Sequence, residues 1–345
     1  MEGKLKQIVN NILPARIDIT KVINNTNFHA TLKIQIWKNK IFIEHPVIED
    51  RHHKILQQLK DLVSQYSIPD VIITYNTMDQ YSYPKLDDYI FTHARLNGQI
   101  SNHILAPCFS FDKQEKKDTL VKYDSIHESI CRKAEPYLAN LETWSTKQNN
   151  LAFIGGLYED RKINTTFLHI NNVTPMILNQ SQWSPNYIDQ EEMIQYKYLL
   201  NLNGCGGGWS IRLKQLFMCG SLVFYITDYH LIQKDINNLE RLIPPYKMKN
   251  GVKVYHCYNV EYWMCSQEFK ECIVLVKDVD ECKERLEYYD SHPEEAYKKA
   301  KRGFEYVRDM LSKENVLLYW KLLLEEYSRR CNGIIKEQLF FCEIA

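Results

Sequence analysis

A glycine-rich turn between two apolar runs constrains this chain more than any other feature. In YKYLLNLNGCGGGWSIRLKQLFMCGSLVFYITD, from Tyr196 to Asp228, an apolar strand leads into Gly204, Gly206, Gly207 and Gly208, then an amphipathic segment and a second apolar strand. Glycines reach positive φ and let backbone approach a ligand closely. A helix begun near Ser210 would leave its first N–H groups unpaired, a site for an anion. The pattern predicts a phosphate-binding βαβ unit whose helix spans Ser210 to Cys219. Ser210 would be its N-cap, Leu213, Leu216 and Phe217 its apolar face, and Gly220 its left-handed stop. Arg212 and Lys214 fall in the first two turns, where cations oppose the helix dipole. A bound anion would offset that cost; a solvated pair of charges is the alternative.

Two nucleotide readings fit this unit. Gly204-x-Gly206 after a strand, with Asp228 closing the next strand, imitates a dinucleotide fingerprint. The sixth position is Trp209 instead of glycine, however, and the unit lies past mid-chain. A nucleotide-diphosphate donor is therefore favoured over NAD.

The chain has 345 residues, room for two ordinary domains, and its 45% hydrophobic and 25% charged content is that of a globular protein. Forty-three basic and 43 acidic residues cancel, which argues against nucleic acid as a partner. No apolar run approaches a membrane span, so no transmembrane segment is expected. The opening MEGKLKQIVNNILPARID carries charges and Pro14 where a secretory core would lie, which predicts a cytoplasmic protein. Ten cysteines lack a C-x-x-C pair, and Cys257, Cys265, Cys272 and Cys282 match no common zinc spacing. Reduced, mostly buried thiols and no metal are the expectation. Asn24, Asn164, Asn172 and Asn179 open N-x-S/T sequons, which matter only in a secreted chain.

Alternating Leu32, Ile34, Ile36 and Ile41, Ile43 around Lys38-Asn39-Lys40 predict a hairpin with one buried face. A helix follows, capped by Asp50 and striped with Ile55, Leu56, Leu59, Leu62 and Val63; His52 and His53 at its start read as solvated. Val71 to Tyr75 reads as a strand covered on both faces, with Asp79 just past its carboxyl end, where open α/β sheets place ligands. Residues 118 to 148 read as mostly helical, and the polar stretch Ser145 to Asn150 marks a boundary. Then come a strand at Leu151 to Ile154, a strand near Glu271 to Lys277, and a helix entered through Ser291 and Pro293. That helix carries Ala296, Ala300, Phe304, Val307 and Leu311 at helical spacing, and a last helix covers Asn315 to Arg329. Asp278-Val279-Asp280 reads as a helix start, not a metal motif.

KYLLNLNG, the run Ser210-Ile211-Arg212-Leu213-Lys214 and LFMCGSLVF resemble the core of glycosyltransferase family 90, which holds the Rumi-type protein O-glucosyltransferases and the fungal capsule-associated xylosyltransferases. Similar segments follow the same order: IPDVIITYNTMD (Ile68 to Asp79), APCFSFDK (Ala106 to Lys113), LAFIGG (Leu151 to Gly156) and LLYWKLLLEEYS (Leu317 to Ser328). The likeness covers roughly residues 65 to 330.

The resemblance implies a GT-B-like α/β fold, two Rossmann-type domains facing across a cleft. Residues 1–148 would form the acceptor side and 149–314 the UDP-sugar side, with a C-terminal helix in 315–345 packing back on the first domain. It implies inverting, metal-independent transfer of xylose or glucose from UDP-xylose or UDP-glucose to a glycan or protein-serine hydroxyl, without a cofactor. Asp79 would be the general base. Gly155, Gly156, Arg161, Gly206, Gly207, Gly208, Ser210, Arg212 and Asp228 would hold the donor, with Arg161 and Arg212 on the diphosphate. The family's arginine before the aspartate is Met78 here, its turn arginine is Ile154, and the glycine loop is longer. Animal relatives work in the secretory pathway, so either a leader has been removed from this chain or the enzyme acts elsewhere, as a viral or microbial homologue. Two alternatives stay open: a non-catalytic nucleotide-sugar or glycan-binding module, and an NAD-dependent oxidoreductase.

Overall fold

The computed structural model describes residues 1–24, 31–45, 50–77, 88–97, 101–108, 124–157, 174–179, 190–204, 210, 212–230, 247–249, 252–256, 258–333, 335, 337–340 and 342–344. The first part holds α1 (Glu2–Ile12), α2 (Ile19–Asn24), β1 (Thr31–Trp37), β2 (Lys40–Ile43), α3 (Asp50–Gln65), β3 (Val71–Asn76), β4 (Phe91–Thr92), β5 (Arg95–Leu96) and β6 (Ile104–Leu105). Next come α4 (Asp124–Ala134), α5 (Leu141–Ser145), β7 (Gln148–Gly155), β8 (Thr174–Asn179), β9 (Tyr196–Asn201), α6 (Leu213–Met218), β10 (Leu222–Ile226), β11 (Asp228–His230), β12 (Lys247–Lys249), β13 (Val252–His256) and β14 (Asn259–Val260). The chain closes with α7 (Gln267–Cys272), β15 (Val274–Val276), α8 (Val279–Ser291), α9 (Pro293–Met310), α10 (Lys313–Arg330) and β16 (Cys342–Glu343).

Two large sheets organise this mixed α/β protein. One has the order β16-β2-β1-β3-β4-β6, antiparallel around β1 and parallel from β3 to β6. The hairpin turns on Lys38 and Asn39, both at positive φ (49° and 60°), the twist a two-residue hairpin needs. Its first strand is buried on both faces, not one, because β2 and β3 flank it inside a six-stranded sheet. β3 is buried at all six positions, as its continuous apolar run predicts.

The second sheet is parallel throughout, in the order β15-β10-β9-β7-β8. Counted along the chain this is 2-1-3-4-5, so the winding reverses between β7 and β9. Ligands of open parallel sheets bind outside the strand carboxyl ends at such a switch point. The short ladder β5–β14 joins the chain near the first sheet to the chain near the second.

α10 lies against the first sheet. Tyr319 Oη donates to the Leu105 carbonyl at 2.8 Å, Tyr327 Oη to Ile72 at 2.9 Å, and Trp320 Nε1 to Gln58 Oε1 at 3.0 Å. These bonds let large aromatic residues be buried without orphaning their polar atoms. α9 starts at Pro293 and buries Ala296, Ala300, Phe304 and Val307, as their spacing predicts. Asp278 caps α8, its carboxylate accepting from Glu281 N at 3.0 Å. Two readings need correction. Residues 267–272 are helical, so the strand begins only at Val274. His52 is buried, and it falls on the α3 stripe with Ile55, Leu56 and Leu59.

Candidate functional site

β7 and β9 are paired with Leu151 opposite Tyr198 and Ala152 opposite Leu199. Just beyond this pairing lie Ile154, one residue before the end of β7, and Asn201, the last residue of β9, at the carboxyl ends where the winding reverses. Half-buried Arg212 reaches this point from the far side of the glycine turn. Its Nη1 donates to the Ile154 carbonyl, and its Cζ lies 4.8 Å from the centre of the Phe153 ring. Gly155 makes this possible, since a Cβ there would fall 2.7 Å from Arg212 Cζ. A guanidinium is thus fixed at the switch point by a carbonyl, an aromatic face and a missing side chain.

The helix behind it differs from its sequence reading. α6 covers only Leu213–Met218, with Arg212 at the N-cap and no side-chain capping bond. Ser210 is not the cap: its hydroxyl donates to Asn201 Oδ1 at 3.3 Å, tying the turn to the end of β9. All six helical residues are buried, so the helix has no solvent face. Gly220 does take the left-handed stop, at φ 63°. A helix under two turns carries little dipole, so the charge that would meet an anion is that of Arg212.

Lys214 neither faces the crevice nor is solvated. It is 1% exposed, with Nζ 3.0 Å from Cys108 Sγ and 3.6 Å from Glu261 Oε2. Burial opposes its charge, but Cys108 and Glu261 outweigh that and raise its pKa above the ordinary lysine value. Beside it, His93 at the end of β4 is held neutral. Burial first, then the positive charges of Lys214 and Arg51, pull its pKa down to about 3. Asn203, just past β9, accepts from Tyr225 Oη at 2.5 Å and from Asn259 Nδ2 at 3.3 Å. The segments behind these strand ends are therefore held by buried polar contacts that reach from α6 and β10 to β14 and the segments after β6 and β9.

Of the residues singled out in the sequence, the structure brings Gly155, Gly156, Ser210 and Arg212 to the carboxyl ends of β7 and β9. Asp228 does not close β10. It opens β11 two residues later, opposite His256, because the chain there turns into a separate antiparallel sheet. Asp79, Arg161, Gly206, Gly207 and Gly208 lie outside the described residues, as do Met78 and Trp209. Asn201, His93 and Glu261 were missed. Asn201 carried a signal, a polar residue at the end of an apolar strand in KYLLNLNG; His93 and Glu261 carried none. The eight described cysteines are free thiols and five are buried. Among the described residues no cluster of His, Cys, Asp and Glu could hold a metal.

These features define an α/β protein with an arginine held at the switch point of a parallel sheet, the place where open α/β sheets take their ligands. The model of glycosyl transferase family 90 matches residues 13–247 and 264–337, and the chain belongs to that family. It is 30% identical over 135 residues to human protein O-glucosyltransferase 1 (39% of this chain, 27% of the relative). It is 23% identical over 308 residues to O-glucosyltransferase rumi of Drosophila melanogaster (79% and 63%). Against the rumi homologue of Aedes aegypti it is 29% identical over 154 residues (45% and 31%). The matched segments thus span less than two thirds of each of these relatives.

The cytoplasmic expectation is overturned by this kinship. The matching relatives are of the Rumi type, which works in the lumen of the secretory pathway. Among the described residues no helix is long and apolar enough to cross a membrane.

Proposed function

We propose that this protein is an inverting glycosyltransferase that moves glucose or xylose from a UDP-α-sugar to an acceptor hydroxyl. Membership of family 90 supports the reaction class, and the names of the relatives favour glucose and a protein acceptor. The observation that carries the reading is Arg212 at the switch point between β7 and β9, where a diphosphate would sit. In this account the two large sheets belong to two Rossmann-type domains in a GT-B arrangement. The first presents the acceptor and the second the donor.

The acceptor oxygen attacks the anomeric carbon from the face opposite the diphosphate, a new C–O bond forms, and the bond to the β-phosphate oxygen breaks. Asp79 takes the hydroxyl proton, and UDP leaves with the bonding pair. Arg212 and Arg161 offset the charge that grows on the leaving group, a role two guanidiniums fill through bidentate hydrogen bonds. Gly155 and Gly156 keep that place free of side chains. The product is β-linked.

The test is turnover of UDP-glucose and UDP-xylose in wild type and Asp79→Asn. The expected result is UDP release coupled to β-glycoside formation, falling by about 100-fold or more without the base. Wild type that turns over neither donor, or an Asp79→Asn variant as fast as wild type, would overturn the assignment.

A further inference from the structure

Asn201 ends β9 amid apolar neighbours, yet it is a 1% exposed amide. One end of that amide is used: Oδ1 accepts from Ser210. The other end, Nδ2, is buried without a hydrogen-bond partner. Exchanging the nitrogen and oxygen leaves the same deficit, because Ser210 can occupy only one of them. Buried amides left half-satisfied are rare in native proteins and costly to keep. Leucine, which occupies 199, 200 and 202, would fill the position without that cost.

Asn201 is the last residue of β9, and on the neighbouring parallel strand β7 Ile154, whose carbonyl receives Arg212, stands one residue from the end. The unmet donor thus stands at the same strand end as the fixed guanidinium. Screened from bulk water, it calls for a partner that arrives with the ligand of the crevice. We infer that Asn201 is a donor-binding residue whose Nδ2 hydrogen-bonds a diphosphate oxygen of the nucleotide sugar. This rests on the crevice being the UDP-sugar site proposed above. Ser210 then has a defined task, since its bond to Oδ1 turns the N–H end of the amide toward the acceptor oxygens of the phosphate. Arg212 supplies charge, and Asn201 supplies a neutral, directional contact.

Asn201→Leu and Asn201→Ala test this, with UDP affinity measured by calorimetry and thermal stability measured without ligand. Arg212→Ala runs alongside as the control for the crevice. The expected result is UDP binding weakened about tenfold or more in both Asn201 variants, with the unliganded melting temperature of Asn201→Leu equal to or above wild type. Affinity kept in either variant overturns the inference. So does a lowered melting temperature with UDP binding intact, which would make the amide structural. If wild type does not bind UDP, the crevice reading itself fails and this inference fails with it. If Arg212→Ala loses affinity while the Asn201 variants keep it, only the inference is lost.

Discussion

Lys214 Nζ lies 3.0 Å from Cys108 Sγ, so the helix that follows the glycine turn is moored to the segment after β6 in the other large sheet. Glu261, reached through β14 and its ladder to β5, completes the contact at 3.6 Å. An ammonium this deep is tolerated only because its partners restore what desolvation removes. Lys214 is two residues from Arg212, and the same contacts that bury the lysine set where the guanidinium begins.

Lys214→Met should destabilise the fold by about 3–5 kcal/mol, since it removes the ammonium paired with the buried Glu261 carboxylate. The double variant Lys214→Met, Glu261→Leu should lose less than the single one. Chemical denaturation of the four proteins in the cycle measures this. A neutral single variant would mean the ion pair adds nothing net to the stability of the fold.

Gly155→Ala should act on binding more than on stability. The added methyl overlaps the Arg212 guanidinium, which must leave the Ile154 carbonyl. UDP affinity should fall about tenfold or more, about 1.4 kcal/mol, approaching that of Arg212→Ala. The two changes together should cost little beyond either one. Additive losses would show that the glycine serves something other than the arginine.

Gly220→Ala should cost about 1–2 kcal/mol. The residue holds φ 63°, and a Cβ there would meet Leu138 Cδ1 at 2.8 Å. A melting temperature within a degree of wild type would contradict the left-handed stop.

Two buried or paired charges give opposite pH signatures. Lys147 Nζ donates to the carbonyls of Ile194 (2.7 Å) and Cys219 (2.8 Å) and to Ser221 Oγ (3.2 Å), while burial pulls its pKa down to about 7. Between that value and the ordinary 10.5 the folded chain binds fewer protons at this site than the unfolded one. Its contribution to stability therefore rises with pH across this window. Lys147→Met should flatten the slope and remove buried hydrogen bonds to the Ile194 and Cys219 carbonyls, at about 1–3 kcal/mol. Glu326, hydrogen-bonded by Arg329 and Arg330, has its pKa lowered from 4.5 to about 2. Its stabilising effect is complete above pH 4.5 and is lost as pH falls toward 2. Denaturation midpoints across pH, compared with Lys147→Met and Glu326→Gln, check both signs.

Much of the local architecture was legible because local chemistry decides it. Lys38-Asn39 makes a tight turn, Ala296 to Val307 repeat at helical spacing, Asp278 caps a helix, and Gly220 stops one. The α3 stripe was legible too, and read to its end it would have included His52. What failed depended on contacts distant in sequence. Ser210 has the chemistry of an N-cap, but its hydroxyl is taken by Asn201, and the helix starts later. Lys214 looked like an anion ligand because its true partners, Cys108 and Glu261, are brought close only by the fold. At the candidate site the positions of Gly155, Gly156 and Arg212 at the strand ends could be read from the sequence. The carbonyl that receives Arg212 and the half-satisfied Asn201 could not, since both depend on how the chain folds back over the ends of β7 and β9.

The most direct test of the account is the thermal stability of wild type and Arg212→Ala with UDP, UDP-glucose, UDP-xylose, GDP and NAD. At about 100 times its Kd a ligand adds about 2.7 kcal/mol, several degrees for a protein of this size. The account predicts a shift with the uridine nucleotides alone, lost in Arg212→Ala. No shift with any uridine nucleotide, or a shift with NAD instead, would contradict it.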